Sequence, residues 1–193
     1  MNKTRILVVC LVTGVTGSVA FGQGLSFSPR LGLGAQSGSY SQNVPFFEGG
    51  PDDMDLSGLY LSAETVFIDW LATELKLGYN WGKERVSYRN ARGDQRSADL
   101  HLETVHVDAS ARPFYAMRDD LHFYGKIGLS LMNRYLSGGG MLITVTDTGL
   151  SFVLGAGAAY THASGFGLHA EMNHYIGNDA EYTMAHIGVH KKF

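Results

Sequence analysis

Ionisable side chains are the first candidates for chemistry in this sequence, and they form two groups. Arg30, Glu64, Glu74, Lys76, His106, Asp108, Arg112, Lys126 and Glu171 each lie in a stretch where residue character alternates, on the face that also holds Gly, Ser, Thr or Asn. Acids and bases sharing one enclosed face can form a structural ion-pair network or, if water reached them, a path for protons or small ions. The second group, Lys83, Arg85, Arg89, Arg92 and Arg96, surrounds a turn at Asn90 to Gly93 and is diluted by Glu84, Asp94 and Asp99. Such a tip can pair with phosphate or sulfate oxygens, or remain a solvated hairpin. All eight histidines fall between His101 and His190. His186 and His190 share a face but stand two strand steps apart, roughly 13 Å, too far to share an ion unaided. No metal site and no cofactor are expected. Cys10 is the only cysteine, so no thiol nucleophile, thiolate site or disulfide follows it.

The elements that position these groups begin after residue 22. Met1 to Gly22 has a basic start (Lys3, Arg5), an uncharged run from Ile6 to Val15 and small residues at Gly17, Ser18, Ala20 and Gly22. That is the layout of a secretory signal peptide, cleaved after Gly22 or, less favourably, Ala20. The apolar run is short for a membrane helix and no stop-transfer segment follows. Domain boundaries are therefore 1–22, signal peptide, and 23–193, one domain. Removing Lys3 and Arg5 leaves 13 basic against 18 acidic residues, a formal charge of −5. No nucleic-acid partner fits that balance. The chain holds 25 glycines, 10 Phe and 10 Tyr but only 4 prolines, and nothing after the leader sustains apolar spacing at three and four residues. Mean hydropathy is −0.04, too low for helical spans. A β-barrel escapes that objection because only alternate residues meet lipid.

Eight alternating segments can be drawn: residues 25–36, 56–67, 71–81, 100–112, 121–133, 149–161, 166–175 and 182–193. In the third, Leu71, Thr73, Leu75, Leu77, Tyr79 and Trp81 oppose Glu74, Lys76, Gly78 and Asn80. Its length suits a tilted membrane strand of roughly 9–11 residues, and Tyr79 and Trp81 would mark the headgroup level. In the first, Arg30 faces the side of Gly32 and Gly34, as in a narrow lumen where small residues make room for a long one. In the last, Thr183, Ala185, Ile187 and Val189 oppose Met184, His186, Gly188 and His190, and the alternation runs to Phe193. The fourth changes phase: Leu100 and Leu102 are even-numbered, Val105, Val107, Ala109 and Ala111 odd. That predicts a β-bulge near Glu103. Connections are long after segments one (Ser37 to Asp55, with Pro45, Glu48 and Asp52), three and five (Tyr135 to Asp147, with Gly138, Gly139, Gly140 and Met141). They are short after two, four (Pro113 to Asp120) and six. Trp70, Phe114, Tyr115, Phe123, Tyr160, Phe166 and Phe193 gather at the short-turn ends like an interfacial girdle.

With its leader, eight strands, G-A-G-A-A-Y and A-E-M-N-H-Y-I-G-N-D stretches and terminal Phe193, the chain resembles the eight-stranded outer-membrane barrels of the opacity-protein and OmpA-transmembrane-domain type. The resemblance implies an all-β, antiparallel up-and-down transmembrane barrel in the bacterial outer membrane. It also implies a non-enzymatic role in surface contact, adhesion or envelope integrity, with a polar, side-chain-filled lumen. Lys191 stands where such barrels often carry an aromatic, and can snorkel. Implied partners are outer-membrane lipid, lipopolysaccharide and an extracellular or host ligand of the loops, with the chain a monomer. A narrow porin-like channel is the alternative. A lipid A hydrolase is a more distant one: His174 and Glu181 are similar to the histidine and carboxylate of the lipid A deacylases, whose motif is His-x-Ser, but Ile176 replaces the serine and offers no nucleophilic oxygen. Intact-mass measurement of protein purified from outer membranes is expected to give a mature chain beginning at Gln23. A mass that retains residues 1–22 would show that the leader stays.

Overall fold

The computed structural model describes residues 28–42, 53–89, 94–138, 144–177 and 180–193. The expected leader (1–22), residues 25–27, the loop positions Pro45, Glu48 and Asp52, Arg92, and the Gly139 to Met141 stretch lie outside the described residues. Eight strands follow in order: β1 (Ser28–Gln42), β2 (Asp53–Ile68), β3 (Leu71–Arg89), β4 (Gln95–Arg118), β5 (Leu121–Gly138), β6 (Thr144–Thr161), β7 (Phe166–Gly177) and β8 (Ala180–Lys192). Each pairs antiparallel with its neighbour, and β1 pairs with β8 from Arg30 opposite Lys192 to Gln42 opposite Ala180, closing the barrel. The Phe193 N–H donates to the Pro29 carbonyl (3.0 Å), carrying closure to the last residue.

The short turns lie at Asp69–Trp70, Asp119–Asp120 and His162–Gly165. Gly165 has φ 84°, a conformation in which a side chain would strain the backbone. Beside this turn Lys191 donates to the Ser164 carbonyl (2.6 Å) and its ammonium lies 4.3 Å from the Phe166 ring centroid. Inside, Tyr60 crosses toward β1 and β8. A methyl group at Gly34 would stand 2.5 Å from its hydroxyl, so the glycine is required by the close approach.

The wall inverts along its length. Near the short turns and through the middle, the outward positions are exposed and apolar: Leu31, Leu61, Leu75, Val107, Ile127 and Phe152 among them. The inward ones are polar. The outward positions turn polar at Glu103, in register with Trp81 and Tyr135, and from one step past them they are Ser39, Asp55, Lys83, Arg85 and His101. There the inward ones become Tyr40, Met54, Leu56, Leu100, Leu102, Met132, Leu136, Tyr182 and Met184, a buried apolar cluster shared with Val153 and Tyr175. The lower barrel is organised for lipid outside. The upper one is an ordinary water-soluble barrel with its oil inside.

Four expectations are corrected, the first two by that inversion. There is no bulge at Glu103: β3 and β4 pair without a break from Leu71 opposite Pro113 to Arg89 opposite Gln95, and Leu100 and Leu102 point inward with Thr104 and His106. What changes at Glu103 is the solvent, not the register. Register shifts occur instead at Val66/Ile68 and Ala116/Arg118, beside short turns. The lumen is polar only within the lipid belt, because above it the wall's outer face is wet and the inner face must supply the core. The strands also outrun the membrane: residues 37–42, 82–89, 113–118, 135–138 and 144–147, read as connections or hairpin tip, are strand. Phe114 leaves the girdle and faces inward, its ring centroid 6.0 Å from that of His122. Leu102→Ala is expected to destabilise the barrel by about 2–5 kcal/mol, and Glu103→Ala by no more than about 0.5 kcal/mol, in urea unfolding from lipid vesicles. The reverse order would place Glu103 inside.

Candidate functional site

The lumen at the height of the lipid belt is the densest polar site. On β3, Glu74 and Lys76 alternate with lipid-facing Leu75 and Leu77, so the period of the strand alone sends both inward. Arg112 comes from β4, Lys126 from β5 and Glu171 from β7. Lys126 Nζ donates to Glu74 (2.6 Å) and lies 3.5 Å from Glu171. Lys76 pairs with Glu171 and lies 4.0 Å from Glu74. The four form a square of alternating charge, side chains no more than 2% exposed. Tyr124 Oη (3.0 Å) and Asn173 Nδ2 (2.8 Å) donate to Glu171, so that each of its oxygens accepts a hydrogen bond.

Toward the short turns, Glu64 on β2 bridges two guanidiniums: Arg30 Nη1 at 2.9 Å, and Arg112, which also reaches Glu74 at 3.4 Å. The Arg112 guanidinium carbon lies 3.6 Å from the Tyr124 ring centroid, a cation–π contact strengthened by desolvation. Toward the upper barrel, Asp108 accepts from Ser130 (2.7 Å) and Tyr175 (2.9 Å), with His106 Nε2 at 4.0 Å. All nine ionisable residues singled out from the sequence therefore face one enclosed column. Four cations, Arg30, Lys76, Arg112 and Lys126, meet four carboxylates, Glu64, Glu74, Asp108 and Glu171.

Sequence reasoning gave no role to the neutral groups that complete the column. Tyr60 shares a 2.6 Å hydrogen bond with His169, Gln36 donates to Asn80, Asn80 donates to Thr104 (2.9 Å), and His186 approaches Asn173 (3.2 Å). Their inward phase was readable, but their partners are not: Lys76 and Glu171 are 95 residues apart. Among the described residues, no three His, Cys, Asp or Glu side chains converge as a metal-ligand set.

The basic hairpin is divided by its own register. Lys83 and Arg85 lie on the outer face, opposite His101 and Asp99, whereas Arg96, which opposes Tyr88 in the register, is on the other face. Lys83 (2.9 Å) and Arg85 (3.0 Å) both pair with Asp99, and their hydrogen bonds, that of Lys83 first, hold its carboxyl below the usual range. The cluster thus carries less free charge than its count suggests. His174 lies on the outer wall with Nδ1 3.0 Å from Thr183 Oγ1. Glu181, two residues back along β8, opposes Ile176 rather than His174.

Residues 7–193 match a family model described as outer membrane protein beta-barrel domain. No curated protein sequence matches the chain significantly. Among solved structures, Ail, the attachment invasion locus protein of Yersinia pestis, matches with a TM-score of 0.57 at 13% identity, covering 88% of this chain and 100% of that one. Neisserial surface protein A matches with 0.57 at 17%, covering 89% and 100%, and OprG from Pseudomonas aeruginosa with 0.55 at 13%, covering 88% and 97%. At these identities the likeness is one of fold. Ail has also been solved in complex with the heparin analogue sucrose octasulfate. Breaking the square from one side, with Lys76→Met, is expected to cost about 3–5 kcal/mol because it strands a buried carboxylate. Adding Glu171→Gln should return part of that loss, with a coupling of about 0.5–3 kcal/mol in a double-mutant cycle of urea unfolding. Strictly additive losses would mean that the pair does not interact.

Proposed function

The chain belongs to the outer membrane protein beta-barrel domain family, and we propose that in the outer membrane it is a non-enzymatic surface-contact protein whose external hairpins meet anionic groups. The observation that carries this reading is the upper barrel. β4 runs for 24 residues, far beyond the roughly 9–11 needed to cross the bilayer, and the extension is packed around its own apolar core. That core makes a rigid, water-facing platform above the lipid. Lys83 and Arg85 stand one and two outward steps above Trp81, at headgroup height, and Arg96 follows nearer the tip. The ligand chemistry this fits is a phosphate or sulfate ester, on lipopolysaccharide or on an extracellular polysaccharide. The complex of Ail with a heparin analogue supports the same class for a barrel of this fold.

Conduction and hydrolysis find less support. Lys76, Asp108, Val153 and Tyr175 are 0–1% exposed, so no water column passes beside them, and apolar side chains fill the lumen above. His174 binds Thr183 on the outer wall, and Ile176, two residues on, brings no nucleophile. The rigid platform also favours contact over a role in envelope integrity alone.

Heparin binding to the full chain, in nanodiscs of phosphatidylcholine or of lipopolysaccharide, tests the reading. Lys83→Gln/Arg85→Gln should weaken binding by about tenfold, and Asp99→Asn, which releases both cations, should strengthen it. Binding in the first lipid alone would point to a polysaccharide ligand, with lipopolysaccharide competing for the same side chains. Absence of binding in both, with no preference for lipopolysaccharide on reconstitution, would sink the proposal and leave envelope integrity.

A further inference from the structure

The apolar belt is not equally tall around the barrel. Followed from partner to partner through all eight strands, the register leads from Arg30 on β1, by Glu64, Glu74 and Val153, to Tyr182 on β8, which opposes Tyr40 of β1. One circuit therefore climbs from residue 30 to residue 40 of β1, ten residues over eight strands, or about one and a quarter residues per strand. Residues paired in the register stand at slightly different heights along the barrel axis.

With that climb removed, Ser37 on β1 is level with Phe152 on β6, and Ser57 on β2 and Thr183 on β8 are level with Leu131 on β5. Ser39, Asp55 and Glu181 come next, at the height of Leu150 and Trp81, and all three are exposed. Over β3 to β6 the exposed apolar wall thus reaches Trp81 and Leu150. Over β8, β1 and β2 it stops at Ala185, Ala35 and Leu59. The difference is about three residues, or about 8 Å for tilted strands. β7 is the transition, carrying both His174 and the apolar Ile176. Tilting the whole barrel would not even this out, because the lower border is level: Phe166 and Leu31 on the short side match Tyr160 and Phe123 on the other.

Hydroxyl and carboxylate groups on a barrel's outer wall are disfavoured against hydrocarbon, and a bilayer meets a short apolar band by thinning beside it. The polar positions here are continuous with the wetted wall above, through Asp55 and Glu181, so they extend the headgroup zone downward and do not form an isolated patch that calls for a protein partner. We propose that outer-leaflet headgroups dip over β8, β1 and β2 and pack against Ser37, Ser57 and Thr183, making this side of the barrel a contact surface for polar lipid headgroups. The surface lies below Lys83 and Arg85 and does not depend on their ligand.

The test is the collision of nitroxide labels with a water-soluble nickel chelate and with oxygen, using the full chain in phosphatidylcholine nanodiscs. Labels are attached through Ser37→Cys, Ser57→Cys, Phe152→Cys or Leu131→Cys, each combined with Cys10→Ser. Nickel collisions are expected to be several-fold more frequent at Ser37 and Ser57 than at Phe152 and Leu131, their counterparts in height. Adding Ser37→Leu, Ser39→Leu and Thr183→Leu should lower the nickel collisions of the Ser57 label to those at Leu131. Heat-modifiable gel migration confirms that each variant is folded. Equal nickel collisions at equal height would overturn the dip, and short-side labels shielded from both reagents would show a protein partner there instead. A folded leucine variant whose Ser57 label stays wet would also overturn it, since the wall would then not set the headgroup level.

Discussion

Hydrocarbon offers no hydrogen bond to a free sheet edge, and each unpaired backbone group there costs several kcal/mol. The pairing of β1 with β8 removes the last edge, and the Phe193 N–H bonded to Pro29 extends it to the final residue. Everything inside follows from that closure. Eight strands make a barrel only wide enough for side chains, so the lumen must be filled. Small residues such as Gly34 and Gly188 appear where Tyr60 crosses, while Arg, Lys and Glu fill the wider gaps.

A filled lumen within lipid is polar because the outer face has taken the apolar residues. Burying ions there is favourable only when each is matched and its remaining hydrogen-bonding capacity is met. The square of Glu74, Lys76, Lys126 and Glu171 meets that condition, with Tyr124 and Asn173 completing Glu171. Networks that are satisfied in this way specify one arrangement of the wall, since no other register would place the same charges opposite one another.

Above the aromatic belt the same strands enter water and the economics of burial reverse. Lys83, His101 and Glu103 are solvated outside, and Leu56, Leu100, Leu102 and Met184 pack inside. The apolar cluster does for the extension what lipid does for the belt, so the strands remain paired well beyond the membrane. A rigid outward platform and a lumen closed from above are two results of one packing decision.

Alternation of side chains determined by itself that this chain makes strands, how many, and which polar residues face inward within the lipid belt. Arg30, Glu74, Lys76, Lys126 and Glu171 were assignable to the lumen because the strand period of two is a local property. Which residue meets which was not legible: Lys76 finds Glu171, and Arg112 finds Glu64, across strands that are distant in sequence. The reading of Leu100 and Leu102 as a bulge failed for a related reason. A pattern of apolar positions reports where apolar side chains go only once the solvent on each face is known, and that is set by where the closed barrel sits in the membrane. Only the tertiary structure showed that the phase held and the surroundings changed. It also showed that the cations of the hairpin divide between two faces, because cross-strand register, not spacing along the chain, places Lys83 and Arg85 on Asp99 and sends Arg96 away.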